Sequence, residues 1–374
     1  MSEEKAESGI KMDYNYLSRT CGLKVSNLCL GAMTFGENKR FPMPGNCDET
    51  LSHQIMDRFV EAGGNFIDTA NIYSTGLSEE YIGSWFQKRQ NRDNIVLATK
   101  VRFGPNDKLP NGTGLSRKNI IQCVEDSLRR LKSDYIDLYQ IHAWDDAVPL
   151  KEILLTLNDL VRCGKVRYVG GSNLTGWQLQ KIVCLNHYMG FDQWVSLQQQ
   201  YNLLCRGSEP EAFEVCKREG LGVLPWSPLK GGLLTDKVKR EGSLEKGSRL
   251  EAQKERVDNT PHLKGTSWDP TQHLDNDWFW SLINTMDSVG KEHGKTRAQV
   301  ALRWLIQKEP VTSVIFGAKT LEQLESNMAA SSGWALTEEQ MKQLGEASRK
   351  KVDYPYDMIG MVNADRMRGL PGEF

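Results

Sequence analysis

The 374-residue sequence predicts an α/β fold, a (β/α)8 TIM barrel, on the strength of two observations. Eight short apolar runs have the length of strands, and they alternate with longer segments whose apolar residues recur at helical spacing. Strands that alternate with helices pair in parallel, and eight such units close into a barrel of about 250 residues. The alternative is a doubly wound open sheet, which usually carries a GxGxxG turn after its first strand. The stretch LGAMTFG (30–36) does not match that turn.

The elements follow in order from the N-terminus. Residues 1–13 are predicted to be a disordered polar tail, and 14–26 a β-hairpin around Cys21 and Gly22. The eight strands are predicted at 27–33, 65–68, 94–100, 135–142, 166–173, 194–201, 221–228 and 311–317.

The first predicted helix is bounded by Asp48 and Gly63, and a later one begins at Ser116, since these residue types favour helix ends. A long polar loop is predicted at 239–275, after the seventh strand. An extra C-terminal helix and a tail at 352–374 complete a single domain that spans 14–374.

Composition narrows the class of protein. Hydrophobic residues make up 39% of the chain, charged residues 25%, and the formal net charge is −1, so no basic field indicates nucleic acid or an anionic membrane as a partner. No apolar run approaches the roughly 20 residues that a bilayer requires, and the N-terminus lacks the apolar core of a signal peptide. The eight cysteines show neither CxxC nor metal-ligand spacing. We therefore expect a cytoplasmic protein without a metal site. The oligomeric state is left open.

Four residues at successive strand ends form a chemically coherent set. Asp68, Lys100 and His142 end the second, third and fourth strands, and Tyr73 lies in the loop after the second. A phenol has a pKa of about 10, which a neighbouring ammonium lowers, and a buried ammonium needs a carboxylate. Such a set of residues would protonate a carbonyl oxygen while another reagent attacks the carbonyl carbon. Because no nucleophile–base pair or metal cluster is evident, we expect that reagent to be a bound hydride donor.

Each of the four also has an ordinary structural interpretation. Asp68 could cap a turn, Tyr73 could be a loop aromatic, Lys100 a surface lysine, and His142 a core histidine. For any one of them alone, the ordinary interpretation is favoured. Ionisable residues that close several apolar runs in succession are costly without a site to serve, so the set together favours an active site.

The sequence resembles the aldo-keto reductases from about Tyr14 to Lys350. The matching segments are YLSRTCGLKVSNLCLGAMTFG, FIDTANIYSTGLSEEYIG, IVLATK, YIDLYQIHAWD, GKVRYVGGSN, QQQYNLL, LPWSPLKGGLL and GAKTLEQLESNMAA. The resemblance implies that Tyr73 is the general acid, that Lys100 and Asp68 tune it, and that His142 positions the substrate. It also implies NADP(H) as cofactor, bound without a Rossmann unit, and a small-molecule carbonyl compound as substrate.

The resemblance further assigns the binding residues. The nicotinamide would contact Gly31, Met33, Asp68, Ser172, Asn173, Gln198 and Trp226. The pyrophosphate would lie on Ser227, Leu229, Gly231 and Leu234, beneath Ser248 and Arg249. The adenosine 2′-phosphate and adenine would contact Gly317, Ala318, Lys319, Gln323 and Asn327. The substrate would meet Tyr73, His142, Phe35 and Trp144, with the tail aromatics Tyr354 and Tyr356 as further candidates for the same wall.

The sequence departs from parts of the family. The spacing between Asp68 and Glu79 is similar to that of the branch with aryl-alcohol dehydrogenases, pyridoxal reductases and potassium-channel β-subunits. Lys319 stands where related sequences often have arginine, which bears on the preference for NADP(H). The stretch KGSR (246–249) resembles a cofactor-covering loop, so we expect 239–275 to be mobile until the cofactor binds.

Three functions follow from these observations. The first is NADPH-dependent reduction of an aldehyde or ketone to the alcohol. The second is a cofactor-binding, redox-sensing regulatory subunit with slow turnover, as in the channel-associated relatives. The third, a structural barrel with an inactive site, conflicts with the complete set of four residues.

Overall fold

The computed structural model describes residues 9–37, 46–104, 108–240, 244–266, 269–274 and 276–363. An N-terminal antiparallel hairpin, β1 (Tyr14–Ser18) and β2 (Cys21–Ser26), precedes the sheet. Ordered packing begins slightly before the hairpin, within the predicted tail, because Met12 is buried and its amide donates to the carbonyl of Ala62.

Eight parallel strands form the predicted barrel. They are β3 (Leu28–Gly31), β4 (Phe66–Asp68), β5 (Val96–Val101), β6 (Ile136–Ile141), β7 (Val166–Ser172), β8 (Ser196–Gln200), β9 (Gly222–Trp226) and β10 (Val314–Phe316). The strands neighbour one another in sequence order from β3 to β9, and β10 pairs with β3. A parallel bridge joins Val223 of β9 to Val311, which lies just before β10, so the two ends of the sheet approach each other. The predicted fold class is therefore confirmed.

Helices surround the strands. They are α1 (Glu49–Glu61), α2 (Leu77–Arg89), α3 (Arg117–Leu131), α4 (Leu150–Arg162), α5 (Gly176–Met189), α6 (Ala212–Glu219), α7 (Arg249–Asp258), α8 (Thr271–Leu274), α9 (Asp277–His293), α10 (Arg297–Ile306), α11 (Leu321–Met328), α12 (Glu338–Ala347) and α13 (Tyr356–Asn363). The Asp48 carboxylate accepts from the amide of Leu51, and the Ser116 hydroxyl from that of Asn119, so both predicted N-caps are present.

The barrel interior changes character along its axis. Its lower part, near the hairpin, holds the apolar side chains of Leu17, Phe66, Leu138, Leu224 and Ile315. Towards the carboxyl ends of the strands, the buried interior residues become polar, as at Asp68 and Lys100. A second, larger apolar core lies between strands and helices. The polar groups are thereby concentrated at the end of the barrel where a site is expected.

The segment that we predicted as a polar loop, 239–275, contains regular structure. The hydroxyl of Ser248 accepts from the amide of Glu251 and caps α7. Leu250 and Val257, seven residues apart on one face of α7, are both buried. These two apolar residues were too sparse to indicate a helix, although most of their neighbours are good helix formers. The change of mobility on cofactor binding stays a prediction.

The C-terminal region ends on α13, whose residues are exposed. Tyr354 and Tyr356 are exposed as well, and the end of the tail, 364–374, lies outside the described residues. Within the described part of the chain, every helix is too short or too polar to span a bilayer.

Candidate active site

A buried ion pair lies at the centre of the site. Asp68 is the last residue of β4, Lys100 lies near the end of the neighbouring β5, and both are almost completely buried. The Lys100 ammonium contacts Oδ2 of Asp68 at 2.5 Å and donates to the carbonyl of Thr69 at 2.8 Å. Burial acts to lower the pKa of Lys100, but the attraction of Asp68 and Tyr73 outweighs it and raises that pKa. Lys100 is therefore protonated at neutral pH.

Tyr73 begins the turn that follows β4, and its hydroxyl lies 3.4 Å from the Lys100 ammonium. The three residues after it, Ser74, Thr75 and Gly76, have φ angles of 49°, 57° and 102°. Left-handed conformations cost a non-glycine residue about 1–2 kcal/mol, so the surroundings must hold this turn in place. The Ser74 hydroxyl does so by bonding to the carbonyl groups of Phe35 and Gly36 at 2.8 Å. The backbone thus fixes the position of the phenol.

The pKa of the Tyr73 phenol is set by opposing effects of burial and of nearby charges. Lys100 lowers it, as we expected, but burial has the larger effect and raises the pKa of Tyr73 above its ordinary value, with Asp68 adding to the rise. The lowering effect of Lys100 is present but is outweighed by burial, although the tyrosine as a whole is only partly buried. At neutral pH the residue is a protonated phenol, the form that donates a proton.

His142 follows β6 and lies beside the phenol. Its ring meets that of Tyr73 edge-on, with 5.9 Å between centroids, and that of Phe103 at 5.1 Å. Burial, and secondarily the charge of Lys100, hold the pKa of His142 well below its usual range. Its Nδ1 atom is buried without a hydrogen-bond partner among the described residues. His142 is therefore a neutral imidazole whose ring lies beside the Tyr73 phenol.

Polar residues from the next strands border the same site. Gln198 lies opposite Ser172 across β7 and β8, and its amide donates to Oδ1 of Asp68 at 2.9 Å. Asn173 follows β7 in a left-handed conformation and donates to the carbonyl of His142 at 2.8 Å. The indole of Trp226, at the end of β9, donates to Oδ1 of Asn173 at 3.2 Å. The structure therefore links Gln198 to Asp68, and Asn173 to both His142 and Trp226.

The other predicted cofactor residues continue from this group in two directions. Ser227, Leu229, Gly231 and Leu234 lie in the turns after β9, where Ser227 and Gly231 have positive φ. Gly31 ends β3 next to β10, where a Cβ atom would approach Ile315 to 2.9 Å, and Met33 follows it. Beyond β10, the side chain of Gln323 accepts from the amide of Lys319, and that of Asn327 donates to the carbonyl of Gly317.

Two cations line this region, and neither has an acidic partner in the described part of the chain. Burial lowers the pKa of Lys319, and the nearby charges of Arg249 and Lys237 lower it further. Burial also lowers the pKa of Arg249, which lies close enough to Tyr73 for their charges to interact. Among the described residues, no carboxylate forms an ion pair with Arg249 or Lys319. Cations in this situation favour an anionic ligand, so the residues fit a phosphate-bearing cofactor.

Several residues near the site were not singled out from the sequence. Gln140 is fully buried and donates to Asp68 at 3.3 Å. The sequence signal for Gln140 was its position two residues before His142, because side chains two residues apart in a strand point to the same face of the sheet. Phe103 lies beside His142. Phe35, which we predicted to contact the substrate, is 0% exposed, and its carbonyl accepts from the Ser74 hydroxyl in the turn after Tyr73. Trp144 meets Trp177 edge-on at 5.6 Å, and Trp177 is 53% exposed.

The sequence model of the aldo/keto reductase family matches residues 27–349. The chain belongs to this family. It is 34% identical over 363 residues to norsolorinic acid reductase B of Dothistroma septosporum, covering 95% of this chain and 85% of that protein. It is 32% identical over 356 residues to the aryl-alcohol dehydrogenase [NADP(+)] of Phanerodontia chrysosporium, covering 93% and 89%. It is 38% identical over 327 residues to the uncharacterized oxidoreductase YrpG of Bacillus subtilis, covering 85% and 91%.

Membership confirms the predicted family and makes the protein an oxidoreductase of a family that acts on small carbonyl compounds.

A cavity of about 630 Å³ in this aldo/keto reductase lies at the opposite end of the barrel, between the hairpin and the starts of β9 and β10. We assign it no part in the reaction, because Tyr73, Lys100 and His142 all lie at the other end. Among the described residues, no cluster of three or more histidine, cysteine, aspartate or glutamate side chains could hold a metal ion.

Proposed function

We propose that the protein reduces an aldehyde or ketone to the alcohol, with NADPH as hydride donor and Tyr73 as general acid. The observation that carries the proposal is the partly buried Tyr73 phenol, which lies 3.4 Å from the Lys100 ammonium and edge-on to a neutral His142. A substrate oxygen placed beside the phenol hydroxyl and the His142 ring would meet both groups. A nicotinamide cofactor, when bound, would supply the chemistry of hydride donation to the carbonyl carbon.

Each residue has one task in this proposal. Tyr73 donates its proton to the oxygen that gains negative charge, and the Lys100 ammonium stabilises the phenolate left behind. Asp68 compensates the charge of Lys100, which would otherwise be buried alone. The His142 ring orients the oxygen. Because Tyr73 is protonated and His142 neutral near pH 7, the site is ready for reduction without a prior proton transfer.

The cofactor proposal rests on the cations and amides around the site. Ser172, Asn173 and Gln198 offer hydroxyl and amide groups, which both donate and accept, as a carboxamide requires. Arg249 and Lys319 have no acidic partner among the described residues and provide charge for phosphate groups. The name of the Phanerodontia chrysosporium relative includes NADP(+). Together these observations support NADP(H) rather than NAD(H).

Replacing Lys319 by alanine is expected to weaken NADPH binding by about 10- to 100-fold, since a charge-assisted contact contributes roughly 1.5–3 kcal/mol. NADH, which lacks the 2′-phosphate, should lose little. Titration of tryptophan fluorescence with each cofactor measures both affinities. Lys319→Arg is the matched control, because it keeps the charge and should retain the preference. Equal losses for NADPH and NADH in the alanine variant would show that Lys319 does not read the 2′-phosphate.

The outer part of the site favours an aromatic substrate. Phe103 is 39% exposed beside His142, and the Arg102 guanidinium lies over its ring at 5.1 Å. The Arg102 side chain also contacts the carbonyl of Trp144 at 3.4 Å, which joins Phe103 to the Trp144–Trp177 pair. Exposed rings of this kind stack on planar ligands. We therefore propose aryl aldehydes and aryl ketones as the substrate class.

The test is NADPH oxidation followed at 340 nm against aromatic and aliphatic aldehydes, ketones, sugars and pyridoxal. We expect turnover with aryl aldehydes at kcat values of roughly 1 s⁻¹ or more, within the usual range for enzymes. Single-turnover reduction with no multiple turnover on any compound would contradict the proposal and favour the regulatory subunit.

The eight cysteines are all unpaired, which supports a proposed cytoplasmic location.

A further inference from the structure

Gln140 has no task in the proposed reaction, yet it lies inside the barrel beside the reacting groups. It is opposite Lys100 in the pairing of β5 with β6, and its side chain is fully buried. Its Nε2 donates to Oδ1 of Asp68 at 3.3 Å, the same oxygen that accepts from Gln198 at 2.9 Å. Lys100 occupies the other oxygen, Oδ2. Both oxygens of the buried carboxylate are thus satisfied by named side chains.

The chemistry of the carboxylate fixes the orientation of both amides. An ionised carboxylate only accepts hydrogen bonds, so Gln140 and Gln198 must each present an NH2 group to Asp68. The Nε2 atom of Gln198 also lies 3.5 Å from Oε1 of Gln140. Gln140 therefore donates to Asp68 and accepts from Gln198. A buried polar group satisfied in this way is held in one orientation.

The phenol of Tyr73 responds to every charge near it. The groups that act on it are Lys100 and Asp68 from the barrel interior and Arg249 from α7, with the neutral His142 ring at its edge. Lys100 and Arg249 favour the phenolate, and Asp68 opposes it. An amide that donates to Asp68 turns the positive end of its dipole towards the carboxylate, which weakens the field of Asp68 at Tyr73.

We propose that Gln140 is a positioning residue, which orients Asp68 and Gln198 and moderates the negative charge of Asp68 so that Tyr73 becomes a better acid. The inference rests on the proposed function, because its effect is measured through Tyr73. The hydrogen bonds of the Gln140 side chain connect it to Asp68 and Gln198, so it acts on Tyr73 through the carboxylate.

The test is the pH dependence of kcat for alcohol oxidation, in which the Tyr73 phenolate is the base. Gln140→Met has nearly the same volume but cannot donate, so the apparent pKa of the profile should rise by roughly 0.5–1 unit. Gln140→Asn retains an amide that is one methylene too short, and it should shift the profile in the same direction. It also guards against a folding defect in the methionine variant.

Gln340→Met is the matched control. Gln340 is a buried glutamine on α12 that bonds to His293 and Glu292, far from the barrel interior, so its loss should leave the profile unchanged. In an Asp68→Asn background, Gln140→Met should add no further shift, because the amide acts through the carboxylate.

The outcomes separate the two proposals. If folded Gln140→Met has the pH profile of the wild type, while Tyr73→Phe has lost carbonyl reduction, the role of Gln140 is overturned and the proposed function remains intact. An equal shift in Gln340→Met would also overturn it, since the effect would then be a general loss of packing. Retained reduction in Tyr73→Phe would instead refute the proposed function.

Discussion

Replacing Tyr73 by phenylalanine is expected to lower kcat for carbonyl reduction by about 10²- to 10⁴-fold, the usual contribution of a positioned general acid. The substitution removes only the hydroxyl that lies 3.4 Å from Lys100, and the ring that meets His142 remains. NADPH affinity should stay near that of the wild type, because the phenol acts on the substrate. Steady-state rates on the best substrate and fluorescence titration with NADPH measure the two quantities.

Tyr139→Phe provides a matched control for this experiment. Tyr139 is fully buried on β6, and its hydroxyl has no hydrogen-bond partner among the described residues. Removing that hydroxyl changes the same chemical group in a buried position outside the site, so kcat should be unaffected. If Tyr73→Phe keeps a tenth or more of the wild-type kcat, Tyr73 is not the acid.

Lys100→Met is expected to cause a comparable loss of turnover and to raise the pKa of Tyr73. The ammonium lowers the phenol pKa against the effect of burial, so its removal leaves burial and the charge of Asp68 opposed only by the weaker effect of Arg249. Alcohol oxidation needs the phenolate, and its rate rises with pH until Tyr73 is ionised. The rising limb of that pH–rate profile, which reports the ionisation of Tyr73, should therefore move to higher pH. An unchanged apparent pKa in a variant with residual activity would contradict the pairing.

The same substitution should also affect folding. Removing one member of a buried ion pair leaves the other charge uncompensated, at a cost of about 3–5 kcal/mol in the free energy of unfolding. The double variant Lys100→Met with Asp68→Asn removes both charges and should recover much of that stability without recovering activity. Denaturant unfolding and kcat, measured on the single and double variants, thereby separate the structural effect from the catalytic one.

Much of the site could be predicted because strand ends are visible in a sequence. Asp68, Lys100 and His142 close apolar runs, and parallel strands bring such ends together at one end of a barrel. The direction in which the pKa of Tyr73 shifts could not be predicted from the sequence. It depends on whether the raising effect of burial or the lowering effect of the Lys100 charge is larger. Phe103 was missed for a similar reason. Its position beside His142 follows from the path of the chain after β5, and no periodicity encodes that path.

The two parts of the reaction centre lie on different kinds of scaffold. The acid stands on a turn whose shape is set by left-handed backbone at Ser74, Thr75 and Gly76, and a Cβ atom on Gly76 would approach the Arg130 side chain to 2.9 Å. The outer rings, Phe103 and Trp177, are partly exposed side chains on other segments. Laboratory evolution of new substrate preferences can therefore vary the outer rings while the turn stays untouched. In such libraries, the residues from Tyr73 to Gly76 are best kept constant.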